Sequence, residues 1–235
     1  MPIGDEHIAK SFDEELRKLD DGIAIMAGLV ESQLDQAMKA LASKDNWISS
    51  LVVEGDRQVD KLEARTEEQA LKLLALRSPV ADDLRRVITA LKVATEIERV
   101  GDHASNTAKR TLVLNQLGHL APATAGLVRL GQTVQRLLHD SFTAFLSRDV
   151  EAARTIRERD GEIDAHYSSL FREILTYMME DPRTITAGSH LMFIAKNLER
   201  IGDHATNIAE LTIFMVTGQP VLEERHKRDD TAGAA

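Results

Sequence analysis

The residues in this sequence best suited to chemistry are carboxylates set four apart. Glu98 and Asp102 are followed by Asn106, and Glu199, Asp203 and Asn207 repeat the row. On a helix, residues four apart lie one above the other, so each row projects from one face. Asp56 with Asp60 and Asp160 with Asp164 add two pairs of the same spacing. Where helices carrying such pairs pack side by side, three or four carboxylates converge and repel unless protonated or neutralised. A hard divalent or trivalent cation (iron, zinc, magnesium or similar) is the natural neutraliser of an oxygen-rich set. Spacing alone leaves a second reading open, in which each pair is part of a solvated acidic face.

Both rows sit inside the signature Glu-Arg-x-Gly-Asp-His. Arg99 and Arg200 read as ion-pair partners of the neighbouring acids, with a phosphate contact as the alternative. His103 and His204 follow the glutamates by five residues, which turns them roughly 140° away on a helix. They read as capping, partner-facing or solvent-facing groups and not as ligands. Gly101 and Gly202 inside a helix cost about 1 kcal/mol each relative to alanine, which implies close backbone approach. Tyr177, Met178 and Met179 read as core.

Helices must carry these rows, and the chain contains their scaffold twice. Of the 11 positions from Glu98 to Ala108, 8 recur identically from Glu199 to Ala209, at an offset of 101. Upstream the offset is 104: Val30 matches Val134, Leu34 Leu138, Asp45 Asp149, Asp56 Asp160 and Asp60 Asp164. The second copy is therefore three residues shorter, lost between Asp164 and Glu199.

Breaks at Lys44-Asp45-Asn46, Ser78-Pro79, Arg148-Asp149 and Asp181-Pro182 divide each copy into three helices. Ser78 and Asp181 are expected to cap, with proline at the first helical position. Helices are expected at 8–43, 46–77, 80–116, 123–147, 150–179 and 184–217. The fold class is all-α: two tandem, pseudo-symmetric three-helix bundles with six long helices, antiparallel neighbours being forced by the short loops. The first repeat spans 1–117, a linker 118–126, the second repeat 127–218 and a flexible C-terminal tail 219–235. In the third helices Ala94, Ile97, Gly101, Ala104 and Ala108 form one stripe, matched by Ala195, Leu198, Gly202, Ala205 and Ala209.

The bulk numbers narrow the function classes. Net charge is −9 over 235 residues, which argues against nucleic-acid binding through the bulk field. There are no cysteines, so thiolate metal sites, disulfides and cysteine nucleophiles are excluded. The acidic N-terminus lacks the apolar core of a signal peptide, and no run approaches the ~18 apolar residues of a membrane span. A cytoplasmic protein is expected. Di-iron oxidases need Glu-x-x-His on two helices, and the repeated motifs carry none. No phosphate-cradling glycine loop or legible Ser/His/Asp arrangement is present either. An adaptor is thus favoured over a carboxylate-bridged metalloenzyme, with a metal- or phosphate-binding sensor as a third class.

The chain resembles the PhoU family over nearly its whole length. The resemblance rests on Gly28-Leu29-Val30-Glu31, Glu54-Gly55-Asp56, Ser78-Pro79 with Asp83-Leu84-Arg85, and Glu98-Arg99-Val100-Gly101-Asp102. It continues in Thr176-Tyr177-Met178-Met179-Glu180-Asp181 and Glu199-Arg200-Ile201-Gly202-Asp203. It implies a non-enzymatic, usually homodimeric regulator that limits phosphate import and represses the phosphate regulon. The implied partners are the phosphate ABC transporter, through its ATPase subunit, and a membrane sensor histidine kinase. Any membrane association would then run through those partners. Some relatives hold metal clusters on the Glu-x-x-x-Asp motifs. By motif, Glu98, Asp102, Glu199 and Asp203 are the implied ligands, with Asp56, Asp60, Asp160 and Asp164 behind them.

Overall fold

The computed structural model describes the backbone of residues 3–117 and 121–221, and within these the side chains of 12–117 and 122–221. The first repeat is α1 (Ile3–Ser43), α2 (Asn46–Arg77) and α3 (Ala81–Leu117). The second is α4 (Ala121–Ser147), α5 (Val150–Glu158), α6 (Asp160–Glu180), a 3-10 turn (Pro182–Thr184) and α7 (Ile185–Thr217).

The duplication is visible in the turns. Lys44 and Arg148 both take left-handed backbone, at φ 59° and 57°. The aspartate after each caps the next helix: Asp45 accepts from the backbone N–H of Trp47 and Ile48, and Asp149 from that of Ala152. Each cap satisfies donors that the helix start leaves unpaired.

Four expectations need correction. Ser78 does not cap α3; it ends α2 in the left-handed region, and α3 starts only at Ala81 after Pro79 and Val80. Asp181 does cap, but it caps the 3-10 turn, accepting from Arg183 N–H ahead of α7. The single helix expected over 150–179 is interrupted at Arg159, where ψ relaxes to −6°. The interruption lets Asp160 begin α6 as a buried residue whose Oδ1 accepts from Thr206 Oγ1 at 2.8 Å. Residues 121–126, expected as linker, are the first turns of α4. Residues 118–120 lie outside the described residues, as does the expected tail beyond Val221.

Within the first repeat the helices run up, down, up. Arg77 at the end of α2 pairs with Glu15 near the start of α1 at 2.8 Å. Asn115 at the end of α3 bonds Asn46 at the start of α2 at 2.6 Å. The two repeats then join along α3 and α7, which lie antiparallel, and along α1 and α4. Leaving α2 and α5–α6 on the outside, this makes one continuous core of Leu, Ile, Val and Ala. Leu19, Leu34, Ile97, Leu127 and Leu138 are fully buried, each contributing roughly 1.5–3 kcal/mol. Among the described residues no helix is long and apolar enough to cross a membrane.

The small-residue stripe does what its spacing implies. A methyl on Gly202 would stand 2.7 Å from Ile163 Cδ1 of α6. On Gly101 it would stand 3.3 Å from Gln33 Oε1 of α1 and 3.6 Å from Val59 of α2.

Candidate functional site: two acidic faces and the seam between them

Each Glu-x-x-x-Asp row faces the preceding outer helix of its own repeat. In the first repeat, Glu98 and Asp102 of α3 lie beside the α2 acids. Burial holds the Glu98 carboxyl above its ordinary range, and the charge of Asp102 adds to the rise. Arg99 offsets part of it, and Glu63 and Asp60 push it further up. Asp56 is raised too, first by burial; the buried Ser105 hydroxyl approaches it and pulls it down, and Asp102 raises it again. That approach stops short of a well-formed hydrogen bond, since Ser105 Oγ has no partner at bonding distance. Asp56, Asp60, Glu98 and Asp102 thus form one field of incompletely compensated negative charge, with Asp60 exposed at its edge.

In the second repeat the same rows are buried. Glu199 and Asp203 are each 8% exposed and Asp160 is 9% exposed. Lys196 Nζ donates to Glu199 Oε1 at 2.8 Å. Arg200 lies 3.7 Å from Glu199 Oε2 and 3.3 Å from Asp203. Asp160 takes the hydroxyl of Thr206, and Asp164 is half-buried on α6.

The arginines of both motifs are ion-pair partners, as their positions imply. Arg99 stands 3.5 Å from Glu98 and 3.8 Å from Asp102. The asparagines diverge: Asn106 is exposed, whereas Asn207 donates to Glu96 Oε2 at 2.8 Å and so belongs to the seam between repeats.

That seam holds His103 and His204. Of the capping, partner-facing and solvent-facing roles that their spacing left open, they take the partner-facing one, the partner being the other repeat. Their rings stack on each other across α3 and α7, centroids 5.5 Å apart and planes 28° from parallel. His204 Nδ1 lies 2.7 Å from Glu96 Oε2, and His103 Nδ1 lies 3.4 Å from Asn197 Oδ1. Glu96 and Asn197 are themselves equivalent at the offset of 101. The stack therefore sits on the internal two-fold, with a carboxylate on one side and an amide on the other. The roughly 140° turn away from the acidic row is what aims the ring at the partner repeat. A groove of about 480 Å³ lined by Lys92, Glu96, Asn207, Glu210 and Phe214 runs beside this seam, away from Glu98 and Asp102.

The family model described as PhoU domain matches twice, over residues 23–111 and 127–212. The chain belongs to the PhoU family. The two matches fall on the two repeats seen in the fold. The chain is 45% identical over 224 residues to the Caulobacter vibrioides protein named phosphate-specific transport system accessory protein PhoU homolog, covering 95% of this chain and 97% of that one. It is 43% identical over 226 residues to the homologue so named from Xylella fastidiosa, covering 96% and 93%. The crystal structure of PhoU from Pseudomonas aeruginosa superposes with a TM-score of 0.86 at 36% identity, covering 88% of this chain and 100% of that one. The phosphate transport system regulatory protein PhoU from Streptococcus pneumoniae gives 0.82 at 32% identity, covering 89% and 99%.

The donors present fit the metal expected from the acidic rows unequally. In the first repeat the donor set suits a hard cation in kind, being all carboxylate, and Arg99 and Lys109 compensate it only in part. Among the described residues, however, no three His, Asp or Glu side chains converge closely enough to hold an ion. In the second repeat Lys196 pairs with Glu199 Oε1 and Arg200 with Asp203, while Glu199 Oε2 is buried without a hydrogen-bond partner.

Proposed function

We propose that this chain is an accessory protein of a phosphate-specific transport system. In this reading it is a negative regulator of phosphate uptake and of the phosphate regulon. It works in the cytoplasm, as a homodimer, as an adaptor between the phosphate ABC transporter's ATPase subunit and a sensor histidine kinase. The observation that carries this is the similarity to proteins named as accessory or regulatory, which spans both repeats from end to end.

The first-repeat face gives the adaptor a means of recognition. Clustered carboxylates held above their ordinary range favour any arriving positive charge, because it relieves their mutual repulsion. Asp56, Asp60, Glu98 and Asp102 are the carboxylates that would have to draw together to hold a hard divalent or trivalent cation there, and the ion would then supply positive charge to the docking face. Electrostatic matching of this kind governs encounter rate and partner choice more than raw affinity.

Capture experiments test the reading. The immobilised chain should retain the ATPase subunit and the kinase's cytoplasmic portion, and Glu98→Ala/Asp102→Ala should weaken retention at least tenfold. Undiminished capture by the double variant removes the acidic face from the mechanism. Failure of the unaltered chain to capture either partner removes the adaptor role.

A further inference from the structure

One helix takes two forms in this chain. In the first repeat α2 runs unbroken through Gly55. In the second the same helix is interrupted at Arg159, the equivalent of Gly55 at the offset of 104. Two contacts hold the interruption. Asp160 Oδ1 accepts from Thr206 Oγ1 at 2.8 Å, and Arg159 Nη1 donates to Asp140 Oδ2 at 2.7 Å. The first repeat has Asp56 and Ser105 in place of Asp160 and Thr206, and Gly55 and Gln36 in place of Arg159 and Asp140. It therefore keeps the groups for the first contact and lacks those for the second.

The unbroken form leaves polar groups stranded at this level. Ser105 Oγ and Gln33 Oε1 are both buried without a hydrogen-bond partner among the described residues. Gln33 reaches between two glycines: a methyl on Gly55 would stand 3.4 Å from its Nε2, and one on Gly101 3.3 Å from its Oε1. Its counterpart in the interrupted copy is the buried Leu137, which needs no partner. A buried acceptor or hydroxyl left unpaired is costly. Interrupting α2 at Gly55 would serve both groups. It would free backbone N–H groups near Gln33 Oε1, and it would let Asp56 turn inward to accept from Ser105 as Asp160 accepts from Thr206.

The core permits the change. Val52 and Val59 are buried on either side of Gly55, and Ile156 and Ile163 are buried at the same spacing around Arg159. Both forms of the helix thus use the same apolar anchors. Glycine is among the poorest helix formers, so Gly55 also lowers the cost of the interruption.

We propose that α2 exchanges between its continuous form and one interrupted at Gly55, in which Asp56 leaves the acidic face and pairs with Ser105. The second repeat has no such choice, because Arg159 is tied to Asp140. The exchange belongs to the helix itself and stands whether or not the acidic face docks a partner.

Amide hydrogen exchange, read residue by residue by NMR, tests the proposal. Amides 56–58 should show protection about tenfold below that of 62–65 further along the same helix. Gly55→Ala, which favours the continuous form, should slow their exchange about fivefold. Ser105→Ala, which removes the partner gained in the interrupted form, should slow it about threefold. Gly55→Arg/Gln36→Asp transfers the second repeat's ion pair. It should make the interrupted form predominant, with protection lost at 56–58 and the α-carbon shifts of 54–56 leaving helical values. Equal protection at 56–58 and 62–65 overturns the proposal. So does exchange indifferent to Ser105→Ala, which would mean that α2 is only weak at Gly55 or that Asp56 reaches Ser105 with the helix intact. A folded Gly55→Arg/Gln36→Asp chain with α2 continuous overturns it as well. Should that variant not fold, Gly55→Ala and Ser105→Ala decide alone.

Discussion

Glu98 ties the acidic row to stability. Its carboxyl is held above the ordinary value of 4.5, first by burial and then by Asp102. The folded state therefore keeps its proton to higher pH than the unfolded state does. Stability falls as pH rises through that window, and the penalty is complete above it. Glu98→Gln should stabilise the fold at pH 7.5 in low salt by under about 1 kcal/mol, because the group is partly solvated, and so raise the melting temperature. The gain should vanish as pH approaches 4.5. Melting curves at pH 7.5 and near pH 4.5 check both arms. Glycines give a second contrast at this scale. Gly28→Ala meets nothing within 4 Å and should stabilise by about 0.5–1 kcal/mol through helix propensity. Gly202→Val drives into Ile163 and should destabilise by about 1–3 kcal/mol. Urea midpoints of the two variants should move in opposite directions.

Among the elements, the α3–α7 seam is where the two copies depend on each other. Burial, and then the facing His204, hold His103 below its ordinary value of 6.5, while Asn197 and Asp102 pull it back up and Arg200 pushes it down. Below 6.5 the unfolded chain takes up a proton that the folded chain refuses, so stability is lost as pH falls through the folded value. His103→Gln should flatten the pH dependence of the melting temperature between about 7 and 5 relative to the unaltered chain. An unchanged slope would mean that the stack does not resist protonation. The elements differ in how far the sequence revealed them. Asp45 and Asp149 announced two helix starts, because a capping carboxylate acts through its own neighbours. The interruption at Arg159 had a weaker signal, the Asp160-Gly161 dipeptide, which favours turns. The run Ala-Arg-Thr-Ile-Arg-Glu-Arg before it holds neither Gly nor Pro, and the bond from Thr206 to Asp160 joins residues 46 apart in sequence. Likewise the acidic rows were legible from spacing, but the burial of the second one was not. Lys196 and Tyr167 meet beside it only when α6 lies against α7.

For the molecule as a whole, duplication has produced one core with unequal faces. The repeats share caps, stripe and motif, yet one acidic face is half-exposed and the other buried beneath its own cations. The adaptor proposed above would gain from such inequality, because a single chain can then present different surfaces on its two sides. The relatives' names place accessory proteins of this family beside a phosphate transporter. The most direct test of the account is phosphate uptake in phosphate-replete cells lacking this protein. Deletion should raise labelled phosphate import and derepress a phosphate-controlled reporter. The unaltered gene should restore both to their original levels, and Glu98→Ala/Asp102→Ala should not. Import and reporter output unchanged by deletion would contradict the account.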